Sequence, residues 1–284
     1  MGDQLFEALR KAYPQSWDDK IDTQEGALLE KPCGGFEEGM VKLWANPTEG
    51  RVQHLLTDMA LYFSRFRPAG RTQYDELLQV LLASGQNQMV WATLNYECCL
   101  ELVLQRAGHS IRSFGQIWGQ SPTVMDVLKL HGSCNYVSPY TRTITNSNMQ
   151  VGAYVYDEVT ALHGPVASPE LQILSLDELQ RLYNEVGAFS IPPAISLYEP
   201  GKHSPTGAST IAWMRAQWAQ LVGAVDLVIS IGTRPVAHDI HIWGPVYAAR
   251  CPVWFVGAND RDYKRLGAHV GSRLCPRSRF SPRI

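Results

Sequence analysis

The 284-residue chain contains no C-x-x-C pair, no apolar run near the roughly 18 residues a membrane helix needs, and no G-x-G-x-x-G turn after its first strand. The first absence removes the common zinc ribbons, the second a helical membrane span, and the third an ordinary dinucleotide dehydrogenase. Neither charge dominates, since 25 Lys and Arg face 27 Asp and Glu for a formal net charge of −2. That balance gives the whole chain no pull toward nucleic acid or a membrane, so partners have to be argued from sites. The opening MGDQLFEALRK carries acidic residues where a secretory leader is apolar, which predicts a cytoplasmic protein. The six cysteines are Cys33, Cys98, Cys99, Cys134, Cys251 and Cys275. They are expected to be reduced structural thiols, with Cys98 and Cys99 pointing to different faces of a helix.

What is present is a change of texture along the chain. Amphipathic stretches near 3–12, 36–44, 51–64 and 73–83, broken at Pro14, Pro32, Pro47 and Pro68, predict a helical N-terminal region. Short β-type runs then alternate with helices. MVWATLN (89–95) leads directly into the helix YECCLELVLQRAG, and VMDVLKLHG (124–132) and AISLYE (194–199) follow. DLVISIGT (226–233) comes after a helix over about 209–223, and VWFVG (253–257) after one over about 239–250. Near-continuous apolar strands between helices predict an α/β fold with a doubly wound parallel sheet, whose ligands sit at the carboxyl ends of its strands. Residues 138–190 break the pattern and read as a helical insertion, in which Ser175 and Glu178 form a capping box. From Arg261 onward seven basic residues face one acidic residue, which predicts a solvated basic tail over 261–284.

Ionisable residues and glycines collect at the ends of these strands: Asn95-Tyr96-Glu97, His131-Gly132, Glu199 to Lys202, Gly232-Thr233-Arg234 and Asn259. T-L-N-Y-E (93–97) resembles the T-x-N-x-[D/E] element of sirtuin-like proteins, and KLHGSCNY (129–136) resembles their catalytic histidine-glycine element. PPAISLYE, VDLVISIGTRP and VWFVGAND are similar to three further strands of that family, in the family's order. The resemblance covers about 89–260. It implies one Rossmann-like NAD-binding domain over 1–260. The Gly-Ala-Gly-x-Ser loop that opens such domains is missing, so either the chain starts late or this branch binds the cofactor without it.

With no zinc ribbon, the chain resembles the bacterial anti-phage defence branch, which hydrolyses NAD. The resemblance implies release of nicotinamide and ADP-ribose, with NAD as substrate and no metal. It further implies control by homo-oligomerisation or a regulatory partner, and no direct contact with nucleic acid. Asn95 is expected to position water and the nicotinamide ribose, and His131 to accept a proton at a pKa suited to neutral pH. Thr93 belongs to the same element. Glu97 takes the place of the family's acidic residue near the carboxamide, and Gly132 lets backbone approach the ribose. Gly232, Thr233 and Arg234 are expected to meet a phosphate or the adenosine ribose, and Asn259 the adenosine. Plain structural roles stand beside these: Asn95 as a helix N-cap, His131 as a satisfied strand-end histidine, and the glycines as ordinary turns. In His238-Asp239-Ile240-His241, Asp239 reads as an N-cap rather than a metal ligand, while Trp91, Trp213, Trp218, Trp243 and Trp254 read as core. An inactive NAD or ADP-ribose sensor remains the alternative function. An NAD-dependent deacylase is disfavoured by the absent zinc pairs.

Overall fold

The computed structural model describes residues 2–17, 29, 36–45, 51–86, 88–114, 123–137, 171–186, 192–196, 204, 206–257 and 259–275. They are mixed α/β with small parallel sheets and divide into two compact units, Met1–Ala212 and Trp213–Ile284.

The first unit begins with helices α1 (Gly2–Ala12), α2 (Pro14–Trp17), α3 (Phe36–Ala45), α4 (Arg51–Phe63) and α5 (Gln73–Ala83). The apolar spacing of the sequence explains them. Leu55, Leu56, Met59, Ala60 and Phe63 recur at helical intervals and are all buried, as are Phe6 and Leu9 of α1. Trp17 closes the cluster, stacked on Phe36 with ring centroids 5.7 Å apart and edge-on to Phe6 at 6.3 Å. At the start of α5 the Asp75 carboxylate turns back to accept from the Thr72 backbone N–H (2.6 Å) and hydroxyl (2.7 Å), and it also pairs with Arg106 at 2.6 Å. The Thr72 bonds first, then Arg106, hold the Asp75 carboxyl down at about 2.

Strands β1 (Val90–Thr93), β2 (Ser110–Arg112) and β3 (Val124–Lys129) form a parallel sheet in the order β1-β3-β2, and α6 (Cys99–Arg106) follows β1. The central strand β3 is buried from Met125 to Lys129, as its unbroken apolar run requires. Its two polar members are paired: Asp126 holds Arg112 through both carboxylate oxygens, and Lys129 meets Glu101 at 3.0 Å. The register sets Thr93 against Lys129, so Asn95 and His131 each fall two residues beyond a paired position.

Part of the expected insertion belongs to this unit's core. Strand β4 (Tyr136–Val137) pairs antiparallel with β5 (Gln172–Ile173), and α7 (Leu176–Val186) buries Leu176, Leu179 and Tyr183 in the cluster that holds α4. The expected capping box is present: Glu178 accepts from the Ser175 N–H at 3.0 Å, and the Glu178 N–H donates to the Ser175 hydroxyl at 3.2 Å. The strand expected at 194–199 is different. Ile195 makes a single antiparallel bridge to Gly132, and residues 197–199 lie outside the described residues, as do 138–170, Lys202, His203 and Cys33.

Helix α8 (Ala208–Ala224) carries the boundary between the units. In the second unit β6 (Val228–Ile231) and β7 (Val253–Val256) pair in parallel around α9 (Ile240–Ala248). A basic tail was expected from Arg261, but Asp260–Val270 forms helix α10. Leu266 and Val270, one turn apart, supply an apolar face that composition alone conceals, and both are buried. Leu274 then bridges to Val253. Trp243 is core as expected, whereas Trp254 is 48% exposed. Among the described residues five cysteines are free thiols, of which Cys98 and Cys134 are buried. No helix among the described residues is long and apolar enough to cross a membrane.

Candidate functional site

In the first unit, three chain segments meet beyond the carboxyl ends of β1 and β3. Tyr96 O accepts from the Cys134 N–H at 2.9 Å, His131 O accepts from the Ser196 N–H at 2.8 Å, and the Tyr96 hydroxyl donates to Ser196 O at 2.9 Å. Ser133 N–H donates to Ala194 O at 2.9 Å, and Ala194 N–H to Tyr136 O at 2.8 Å. Residues 95–97, 131–136 and 194–196 are therefore knitted into one rim, with the cross-ties made by backbone and by the half-buried Tyr96 side chain.

Within that rim Asn95 is exposed and oriented. Its backbone N–H donates to Thr93 Oγ1 at 3.1 Å, and its side-chain amide donates to Glu97 Oε1 at 2.9 Å. Asn95 is not the N-cap of α6: Cys98 occupies that position, and the second oxygen of Glu97 accepts from the Cys99 N–H. Glu97 thus does two jobs, capping a helix end where negative charge is favoured and holding the Asn95 amide through its N–H. The amide-fixing role is one that motif reading alone does not reveal. Its signal is the extra methylene of Glu over Asp, which lets one carboxylate reach both groups.

His131 is 1% exposed, so it lies under the rim rather than on it. Gly132 has φ +82°, and a Cβ there would stand 1.9 Å from Ala194 O. The close approach that its lack of a side chain permits is therefore to the chain's own backbone at 194–195. This gives Gly132 a structural reason to be glycine that does not involve a ligand.

Lys129 lies below the rim, fully buried, donating to Glu97 O and paired with Glu101. Burial works against its charge, but Glu101, followed by the Cys98 thiol, outweighs burial and raises the Lys129 pKa. The Cys98 and Cys134 sulfurs are 3.8 Å apart, and this contact lowers the Cys98 pKa and raises that of Cys134. Burial, then Glu97, pushes the Cys99 thiol up to about 12, so it is inert near neutral pH.

The second unit brings the remaining predicted residues together on its own strand ends. Gly232 turns the chain out of β6 at φ +66°, with open space where a Cβ would lie, and the Ser230 and Thr233 hydroxyls are 2.7 Å apart across that turn. Asn259 caps α10 by accepting from the Arg261 N–H at 2.8 Å. Arg234, Asn259, Arg261, Asp262 and Arg265 line a recess of about 180 Å³. The Arg265 guanidinium donates to Pro235 O at 2.8 Å, and Arg234 Nε lies 3.6 Å from an Asp262 oxygen, which ties the turn after β6 to α10. Arg261, Asp262 and Arg265 were missed in the sequence because the charge count placed them in a tail.

Asp239 sits at the N-cap position of α9 as expected, yet its side chain makes no cap bond and is buried, with one carboxylate oxygen within 4.8 Å of a His241 ring nitrogen. No protein-family model matches the chain, and no curated protein matches it in sequence.

Proposed function

We propose that this chain is a sirtuin-like NAD hydrolase of Rossmann-like, doubly wound architecture that cleaves the nicotinamide–ribose bond to give nicotinamide and ADP-ribose. The observation that carries the reading is the matched placement of Asn95 and His131, each two residues beyond the paired ends of adjacent parallel strands. In such sheets these loop positions face the ligand crevice. The leaving group is neutral nicotinamide, so the reaction needs held geometry, a water nucleophile and a base rather than a strong acid. Asn95, whose amide N–H is engaged by Glu97, offers its carbonyl oxygen to water or a ribose hydroxyl. His131 accepts the proton that water gives up as it attacks the anomeric carbon. An enzyme that destroys NAD endangers its own cell, so a cytoplasmic setting with control by oligomerisation or a partner, as in anti-phage defence, belongs to the same proposal.

Incubating the purified chain with NAD and measuring free nicotinamide by mass spectrometry tests it. Asn95→Ala and His131→Asn are each expected to lower the rate about 100-fold or more, the scale of a lost positioning or proton-transfer group. Unchanged rates in both variants remove these residues from the mechanism. A second reading, a nucleotide-binding module without turnover, is favoured by the near-complete burial of His131, because a base must reach water. Binding of NAD with no nicotinamide released in any oligomeric state selects that reading.

A further inference from the structure

We propose that the recess between the turn after β6 and the first turn of α10 is a binding site for a phosphate monoester on a nucleotide. Three guanidinium groups, Arg234, Arg261 and Arg265, and one carboxylate, Asp262, line it. The surplus of two positive charges matches a phosphate monoester, which carries about −1.5 to −2 near neutral pH. A planar guanidinium presents paired donors to phosphate oxygens, and the N-terminal end of the 11-residue α10 adds partial positive charge. The first-turn acids Asp260 and Asp262 oppose that end charge, and only Asp262 faces the recess.

Two further features make this a built site. The Arg265–Pro235 and Arg234–Asp262 contacts fix the two walls against each other. The recess also lies at the carboxyl ends of the parallel pair β6 and β7, where α/β sheets take nucleotides, and there an arginine in place of an acidic residue selects a ribose 2′-phosphate over a free hydroxyl. On the dinucleotide-cleaving reading proposed above, the expected consequence is a preference for 2′-phosphorylated dinucleotide, NADP, over NAD.

The test is calorimetric titration of the full chain with 2′-AMP, 5′-AMP, adenosine, NADP and NAD, with nicotinamide release from both dinucleotides followed in parallel. Phosphorylated probes should bind at least tenfold more tightly than adenosine, more weakly as salt rises. Arg261→Gln, at an exposed residue, and Arg265→Gln should each remove most of that difference, while Asp262→Asn should tighten binding. Tighter 2′-AMP than 5′-AMP places the phosphate on the adenosine ribose, and the reverse order places it at the 5′ end; either supports the site. Equal binding of adenosine and both nucleotides, or a preference that survives Arg261→Gln and Arg265→Gln, overturns it. Because binding is read directly, arginine-dependent binding without turnover sinks the hydrolase reading alone. Turnover indifferent to the arginines sinks this one alone.

Discussion

Gly132 and Gly232 look alike in the sequence, each following a strand, and both adopt positive φ, yet the structure gives them different reasons to be glycine. At Gly232 the cost of a side chain is conformational only, on the order of 1 kcal/mol for a left-handed residue. At Gly132 that cost is joined by collision with Ala194 O, and overpacking of this kind adds about 1–3 kcal/mol. Gly132→Ala should therefore lower the denaturation midpoint clearly more than Gly232→Ala, measured by urea titration followed by circular dichroism. Equal shifts would mean that the Ala194 contact relaxes at little cost. Sequence reading found the positions of Asn95, His131 and both glycines because strand-end grammar is local. It did not find that Glu97 caps α6, although that contact spans only two residues, because Asn95 was the better N-cap by residue type; and it could not find that Ala194 fills the space beside Gly132, which depends on a segment some sixty residues away.

At the level of elements, caps and apolar spacing made the helices legible. The predicted 73–83 helix and the Ser175–Glu178 box both appear, because each rests on residues three or four apart. Helix α10 was not legible, since its buried Leu266 and Val270 are outnumbered by charges. The Asp75 cap makes a pH prediction. Its carboxyl is held at about 2 in the folded chain against roughly 3.9 when unfolded, so the unfolded state binds the proton first as pH falls. The contribution of Asp75 is therefore fully present above about pH 5 and fades as pH drops toward 2. Asp75→Asn should lower the melting temperature at pH 6, and the gap to the parent should shrink by pH 3. A gap that widens in acid contradicts this sign. In α7, Ser175→Ala should cost about 1 kcal/mol by urea titration, the usual worth of an N-cap side chain.

Across the whole molecule, the hydrophobic pattern predicted alternating strands and helices, and the described residues show small parallel sheets in that order. The pattern could not specify which polar residues would be buried. Lys129 read as the start of a catalytic motif and is instead fully enclosed with Glu101. Removing one partner strands the other's charge, so Lys129→Met should destabilise the fold by roughly 3–5 kcal/mol, while Lys129→Met with Glu101→Leu should recover most of it. Chemical denaturation of the three proteins decides this, and a double variant as weak as the single one would assign the loss to packing. The pairing of Thr93 with Lys129 has a further consequence. The sheet acts as a ruler for the rim, so the number of residues joining β1 to β3 is free to vary, provided that this rung is kept. One residue added between Thr93 and Asn95 would leave the sheet untouched and move the amide a full step along the edge, out of line with the imidazole. The spacing that matters is therefore two residues counted from a rung, and the distance from Asn95 to His131 counted along the chain can drift.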